Sequence, residues 1–448
     1  MKYEHVAEAS PTYLKDRHSR ESGNLVSLGL KQTEVGVIPE DWHTPKLGEI
    51  CLLINGRGFK PYEWSTEGLP IIRIQNLNGS DEFNYFNGHY DPKIFVKSGQ
   101  LLFAWSGSRG TSFGPHIWRA GDALLNYHTW KLVIKNDGAD EGYFFHILKQ
   151  LTKHIEESAH GASALVHTQK GEMENFYLPL PSNREEQAAI ANALSDVDAL
   201  VNELEKLVVK KQSIKTATMQ QLLTGHTRLP QFALRDDGSP RGYKQSELGK
   251  IPEDWDVLDF GYLLLVTGSR KSVKSTSLVT FVGMQDVTEQ AQLSRQNLVF
   301  MDNLKSGFTY FERGDVLIAK ITPCFENGKG CHTDSLKTEI GFGSTEFHVL
   351  RANDESDSRF IYYWSNRESF RRDLESEMVG SAGHRRVPLS AIENYRIPVP
   401  SKEEQSAIGT ILSDMDDEIH ALEQRLNKTR QIKQGMMQEL LTGKTRLI

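Results

Sequence analysis

The chain has 448 residues, a formal net charge of −7, 38% hydrophobic and 25% charged residues, and only three cysteines. Its length suggests two to three domains at about 150 residues each, and its balance of charge excludes an indiscriminate polycation without excluding a local basic stripe. No apolar run approaches the ~20 residues of a membrane span, and three unpaired-looking cysteines (Cys51, Cys324, Cys331) fit a reducing cytoplasm better than a disulfide framework or a zinc site.

In chain order, residues 1–32 form a polar N-terminal extension that lacks the apolar core of a signal peptide. A head motif, "TEVGVIPEDW" (Thr33–Trp42), opens a first domain over 33–180. The block after it predicts short strands at "LPIIRI", "GQLLFAW" and "WKLVI", and a helix near "EGYFFHILKQLTKHIEE". Basic and amide residues gather in its loops: Arg57 and Lys60, then Arg73, Gln75 and Asn76, then Ser106, Arg109 and Thr111. A long helix follows over 181–225, and then a linker over 226–245.

The head returns as "SELGKIPEDW" (Ser246–Trp255), opening a second domain over 246–399. Its strands are predicted at "LVTFVGM", "GDVLIAK" and "TEFHVL", with helix near "RFIYYWSNRESFRRDLESE". Its loops carry Arg270, Lys271 and Lys274, then Lys320, Asn327 and Lys329, then His384, Arg385 and Arg386. The two blocks share texture but no clear identity, and both read as α+β. Arg and Lys match guanine edges, Asn and Gln match adenine, and glycine lets backbone approach phosphate. Any surface loop also carries polar residues, so composition alone leaves a DNA-reading role open.

The last segment, 400–448, repeats the central helix: Glu185–Leu229 laid on Glu403–Leu447 matches at 23 of 45 ungapped positions. Each copy opens on a capping-box pattern, Ser182-x-x-Glu185 and Ser401-x-x-Glu404, and closes on "LLTG", where Gly225 and Gly443 suit a left-handed cap. About forty residues between them give ~60 Å of helix. Apolar residues follow a 4-3 spacing, Ile190, Leu194, Val197, Val201, Leu204 and Val208 in the first copy. The second copy has Ile408, Leu412, Met415, Ile419, Leu422 and Leu426. Such a stripe is either a coiled-coil seam or the face of a helix lying on its own domain. A 60 Å helix outruns a domain some 30–35 Å across, which favours pairing of the two helices. After Val208 the spacing falls on Lys211, Lys215 and Thr218, which are expected to face solvent or another protein.

Catalytic motifs are missing. "LLTGKT" resembles the end of a P-loop, but Gln438 stands where its first glycine belongs and the other copy has His226 for the lysine. There is no Asn/Asp-Pro-Pro-aromatic tetrapeptide, and His128 and His348 stand isolated, as structural histidines do.

The tandem "IPEDW…P-x-P-S…EEQ…LSD-x-D…LLTG", from Thr33 to Leu447, resembles the specificity subunits of type I restriction-modification systems. So do "GQLLFAWSGSRGTSFGPHIW…ALLNYHTWKL" and "GDVLIAKITPCFENGKG…GSTEFHVLR", and the loops starting at Gly161 and Gly380 resemble the family's recognition loops. The resemblance implies an α+β protein in which two target-recognition domains are each followed by a long helix. The helices pair as an antiparallel coiled coil. It implies that each domain reads half of a split, asymmetric duplex target. Two modification subunits would dock on the helices and methylate adenine, and two motor-nuclease subunits could join them. It also implies no metal, cofactor or catalytic residue in this chain, with S-adenosylmethionine, ATP and magnesium on the partners. A free-standing DNA-binding protein, a protein-binding adaptor and a fused nuclease–methylase are the rival readings.

Overall fold

The computed structural model describes residues 29–136, 138–158, 165–265, 270–304, 306–381 and 383–447. The extension before residue 29 and the loop starting at Gly161 thus lie outside the described residues, apart from the extension's last few positions. No described helix is long and apolar enough to cross a membrane. The chain folds as two compact units. One runs to Leu204 and resumes at Arg425; the other is Glu205–Gln424. The cuts fall inside the long helices, so each unit owns part of both, rather than one domain plus the helix that follows it.

The first head is a hairpin of β1 (Leu30–Thr33) and β2 (Gly36–Pro39). Next come β3 (Cys51–Asn55), β4 (Leu69–Ile72), the short α1 (Ile74–Leu77), β5 (Leu101–Ala104) and β6 (Ser106–Ser108). Strands β7 (Gly114–Ile117), β8 (Ala123–Leu125) and β9 (Thr129–Ile134), helix α2 (Glu141–Ser158) and β10 (Leu165–His167) complete the block. β3, β9, β5 and β7 form an antiparallel sheet in that order, while β4 and β8 pair in parallel. The buried strands are continuous apolar runs, Leu101–Ala104 being covered along its whole length. α2 turns Tyr143, Phe144, Ile147, Leu148 and Leu151 onto the core.

After the central helix α3 (Arg184–Leu223), the second unit repeats the plan. Its hairpin is β11 (Tyr243–Ser246) with β12 (Gly249–Pro252). Strands β13 (Leu278–Val282), β14 (Thr309–Glu312), β15 (Val316–Ala319), β16 (Gly330–His332), β17 (Ile340–Gly343) and β18 (Phe347–Leu350) follow. The helical stretch expected near "RFIYYWSNRESFRRDLESE" forms two helices, α4 (Ser358–Ser365) and α5 (Glu368–Glu375), separated at Asn366-Arg367. β13 pairs in parallel with β17 as β4 does with β8, and Phe347 lies opposite Ala319 as Thr129 lies opposite Ala104. Two blocks without clear sequence identity thus share one topology.

The terminal helix α6 (Lys402–Leu440) runs antiparallel to α3. In the first unit Asp198 meets Lys433. In the second, Lys215 meets Asp416, and Lys211 reaches Glu418 at 2.6 Å. Both readings of the apolar stripe are therefore partly right. Ile190 and Leu194, with Leu440 of α6 and Leu441 just after it, belong to the core of the first unit; Ile408 and Leu412, with Leu222 and Leu223 of α3, belong to that of the second. Further along, Leu204, Val208, Ile419 and Leu426 are buried, and Val197, Val201, Met415 and Leu422 half-buried. Lys211 and Lys215 do not face solvent or another protein as expected. They carry the pairing onward as ion pairs with α6, because a long lysine stem can follow an apolar seam and place its charge at the rim.

The repeated motifs turn out to build one device twice. Arg446 donates to both oxygens of Asp41 (3.0 and 2.8 Å) and to Glu186 (2.5 and 2.8 Å), whose carboxylate also accepts from the Trp42 indole at 3.3 Å. Arg228 likewise binds Asp254 (2.8 and 3.1 Å) and Glu404 (3.0 and 2.6 Å), which accepts from Trp255 at 2.9 Å. Each arginine comes from the end of one repeat and each Asp-Trp pair from the head of the other. Gly225 and Gly443, at φ of +70° and +71°, end the helices in the left-handed region, and a Cβ on either would collide with Pro252 or Pro39 of the "IPEDW" head. Gln187 and Gln405 of "EEQ" donate to the Pro181 and Pro400 carbonyls and accept from the amides of Asp140 and Asp357.

The capping boxes do not form as expected. Glu404 is consumed by the arginine lock, so Ser401 alone caps, accepting from its amide. In α3 the cap is Asn183, which accepts from Glu185 at 2.8 Å, while Ser182 donates to the Asp41 carbonyl. Asn183, not Ser182, is the position matching Ser401.

Candidate nucleic-acid interface

In the first domain part of the predicted set converges. Arg57 bridges to Asn126, pairs with Glu63 and lies over Phe59 and Phe86 (4.4 and 4.8 Å). Arg73 donates to Asn84 at 2.7 Å and lies 5.3 Å over the half-exposed Trp64. Arg73 and Gln75 share a cleft of about 270 Å³ with Phe59, Trp64 and Asn126–Thr129. Ser106 starts β6 beside this region, since Trp105 packs against His128 with tilted rings 5.3 Å apart and donates its indole N–H to the Tyr127 carbonyl. Asn76 is no reader. Its side chain is buried and fully engaged, accepting from the Arg73 amide and donating to the Ser80 and Glu82 carbonyls. Arg109 and Thr111 sit apart, on the exposed β6–β7 turn that Glu156 of α2 ties down at Gly110. Lys60 is exposed.

In the second domain three of the predicted cations, Lys271, Arg385 and Arg386, stand against anions. Lys271 binds Glu312 at 2.6 Å, and Arg270 lies over Tyr310 beside it. Burial opposes ionisation of Glu312, but hydrogen bonds from Lys271 and Tyr310 and the nearby Arg351 hold its carboxyl below the usual range. Arg386 binds Glu346 through two bonds of 2.8 and 2.9 Å, which lowers the Glu346 pKa. Arg385 stands 3.8 Å from Glu326 and 3.6 Å from Glu375. Asn327 donates to Glu289, and Lys329 to the Met284 carbonyl. Lys320 follows β15 and donates its backbone N–H to the Glu346 carbonyl at 2.9 Å; Lys274 and His384 are exposed.

His348 behaves as the structural histidine expected, bonded to the Val387 carbonyl at 2.8 Å and pushed down in pKa by burial. His128 differs: among the described residues its Nδ1 and the Thr129 hydroxyl oxygen are buried without a partner, and burial lowers the imidazole pKa. His128, Tyr127, Trp64 and Asn126 were not among the predicted contacts, nor were Glu346 and Gln285. Superposing the strand ends "IIRIQN" and "FVGMQD" aligns Gln75 with Gln285, a match visible only once the parallel pairing is known.

A family model described as the type I restriction modification DNA specificity domain matches residues 39–216 and 252–433. The type I restriction enzyme MjaVIII specificity subunit of Methanocaldococcus jannaschii is 25% identical over 435 residues, covering 92% of this chain and 94% of that protein. The putative MjaX specificity subunit of the same organism is 26% identical over 444 residues, covering 93% and 96%. A solved structure, the S subunit of a type I restriction-modification system from M. genitalium, shares the fold with a TM-score of 0.56 at 15% identity, covering 89% of this chain and 96% of that one. The chain belongs to the type I restriction-modification specificity family.

Proposed function

We infer that this chain is the DNA-specificity subunit of a type I restriction-modification complex and is not itself an enzyme. Each recognition domain reads one half of a bipartite, asymmetric target in double-stranded DNA, and the paired helices set the spacer between the halves. Two modification subunits dock on the helices and methylate adenine with S-adenosylmethionine, and two restriction subunits supply ATP- and magnesium-dependent cleavage. The carrying observation is the duplicated lock of Arg446–Asp41–Glu186 and Arg228–Asp254–Glu404, which gives one chain two equivalent faces. Ile214 and Ile432 occupy the same place in the two helix copies and are 41% and 49% exposed, which suits two identical partners.

Reconstitution tests the reading. The purified chain alone should leave DNA unmethylated, and addition of its modification subunit should yield adenine methylation at one bipartite motif. Methyl transfer by the rigorously pure chain, or methylation without a bipartite motif, would refute it.

A further inference from the structure

The two recognition domains differ in nearly every loop residue, yet one turn is common to both. After the parallel strands β4 and β13, the chain enters a single helical turn whose third residue folds back on its start. Asn76 accepts from the Arg73 amide at 3.0 Å, and Asp286 accepts from the Gly283 amide at 2.8 Å. Both side chains are buried and tied further, Asn76 to Ser80 and Glu82, Asp286 to Asn297. The residue just before each anchor is an exposed glutamine, Gln75 in one domain and Gln285 in the other. Among the described residues the Gln75 amide has no hydrogen-bond partner, and that of Gln285 has only a 3.4 Å contact with Asp286.

We propose that Gln75 and Gln285 are the corresponding base-reading residues of the two domains, each taking an adenine edge of duplex DNA in its own half-site. A glutamine amide offers one donor and one acceptor side by side, matching adenine N7 and N6 in the major groove. The anchored turns fix the backbone that carries the two glutamines, so only their side chains have to be ordered on binding. This rests on the chain being a DNA-specificity subunit.

The surroundings of the two glutamines differ in a way that the proposal uses. Gln75 stands at the rim of the cleft it shares with Arg73, Trp64 and Asn126–Thr129, and the cleft residues His128 and Thr129 carry buried polar atoms without partners among the described residues. Unpaired buried groups of this kind are completed by a ligand or by water. In the second domain the matching strand end carries Glu346 and Phe347, and Glu346 is closed off by Arg386. Gln285 instead lies across Gly283, where a Cβ would come within 2.5 Å of its amide nitrogen. The first domain therefore reads through a cleft and the second from an open turn.

The test uses the reconstituted methyltransferase complex and duplex libraries randomised one half-site at a time. The wild-type complex is run first, and failure to obtain any bipartite motif there would sink the specificity-subunit reading rather than this one. Q75A should reduce discrimination about 5- to 150-fold at a single base pair of one half-site. Q285A should do the same at a single base pair of the opposite half-site. T129V should weaken preference only in the half-site affected by Q75A. Unchanged preferences in both glutamine variants, loss in the same half-site, or uniform weakening on all sequences would each overturn the proposal. The last result would mark a backbone contact.

Discussion

Two pairs of sites related by the same internal repeat behave in opposite ways. The arginine locks share Arg, Asp, Trp and Glu at matched positions with matched bonds, the second adding Arg241 3.3 Å from Asp254. At the matched strand ends of the recognition domains, His128 and His167 in one correspond to Glu346 and Arg386 in the other. The lock must close the same geometry twice, because a buried carboxylate tolerates no substitute for its arginine. The strand ends only have to present side chains, and a different target asks for different ones. Repetition in the locks therefore marks scaffold, whereas the strand ends are where the two domains diverge.

The most disruptive way to separate the two is to lengthen the scaffold and leave the readers alone. One heptad added to each helix, between Val201 and Val208 and between Ile419 and Leu426, keeps the apolar spacing. It falls between Asp198–Lys433 and the pairs Lys211–Glu418 and Lys215–Asp416, so every helix-to-helix ion pair named above survives. The pair grows by ~10 Å. Three extra base pairs would match that length but turn one half-site by about 100°. The expected result, read by sequencing methylated DNA, is a spacer one or two base pairs longer, weaker binding and unchanged half-sites. A folded, active variant that keeps the original spacer means the helices do not set it.

Next in size are the locks themselves. R228A leaves Glu404, 2% exposed at its side chain, without its counter-charge, and should cost about 3–5 kcal/mol in urea denaturation. R446A should cost less, because Arg446 is 29% exposed and water can reach the vacated site. Equal losses would show that solvent access does not set the difference.

A third contrast lies where α2 and α4 meet the long helices. His146 and Tyr363 face Asp198 and Asp416 from matched positions, and Tyr363 donates to Asp416 at 2.8 Å. His146 instead meets the Ser195 hydroxyl at 3.0 Å, and burial with the nearby Lys149 pushes its pKa down to about 4. Below the ordinary histidine pKa of 6.5 the unfolded chain gains a proton that the folded chain refuses. Stability should therefore fall as pH drops from 6.5 toward 4, by up to about 3 kcal/mol. H146F should flatten that window. A pH profile identical to wild type would mean that His146 titrates normally in the folded protein.

Much of this scaffold was legible in the sequence. The strands at "GQLLFAW" and "TEFHVL", both long helices and the left-handed glycines follow from local chemistry, and local chemistry is what a sequence displays. The locks were not legible as locks. "IPEDW", "EEQ" and "TGxTRL" each announce themselves by repetition, but Arg446 and Asp41 lie 405 residues apart and nothing local links them. The reading loops were half legible. Polar type singled out Arg73 and Gln75, which line one cleft, yet could not separate Gln75, whose side chain has no hydrogen-bond partner among the described residues, from Asn76 beside it, which is spent on the backbone.

The same ambiguity defines the smallest effect. Arg386 looks by type like a DNA contact, but it is bound to Glu346 on an exposed surface, where such pairs contribute little to folding. R386A should therefore barely change stability. Its effect should appear in DNA binding, because it uncovers a carboxylate that the guanidinium had neutralised. Affinity should then fall, whereas E346Q should free Arg386 and steepen the salt dependence by about one phosphate contact. The double variant should return close to wild type, since each change removes half of one neutral pair. H167A, at the matched position of the first domain, should show no such compensation with changes at His128. A double variant as weak as R386A would mean that Arg386 touches DNA itself rather than masking Glu346.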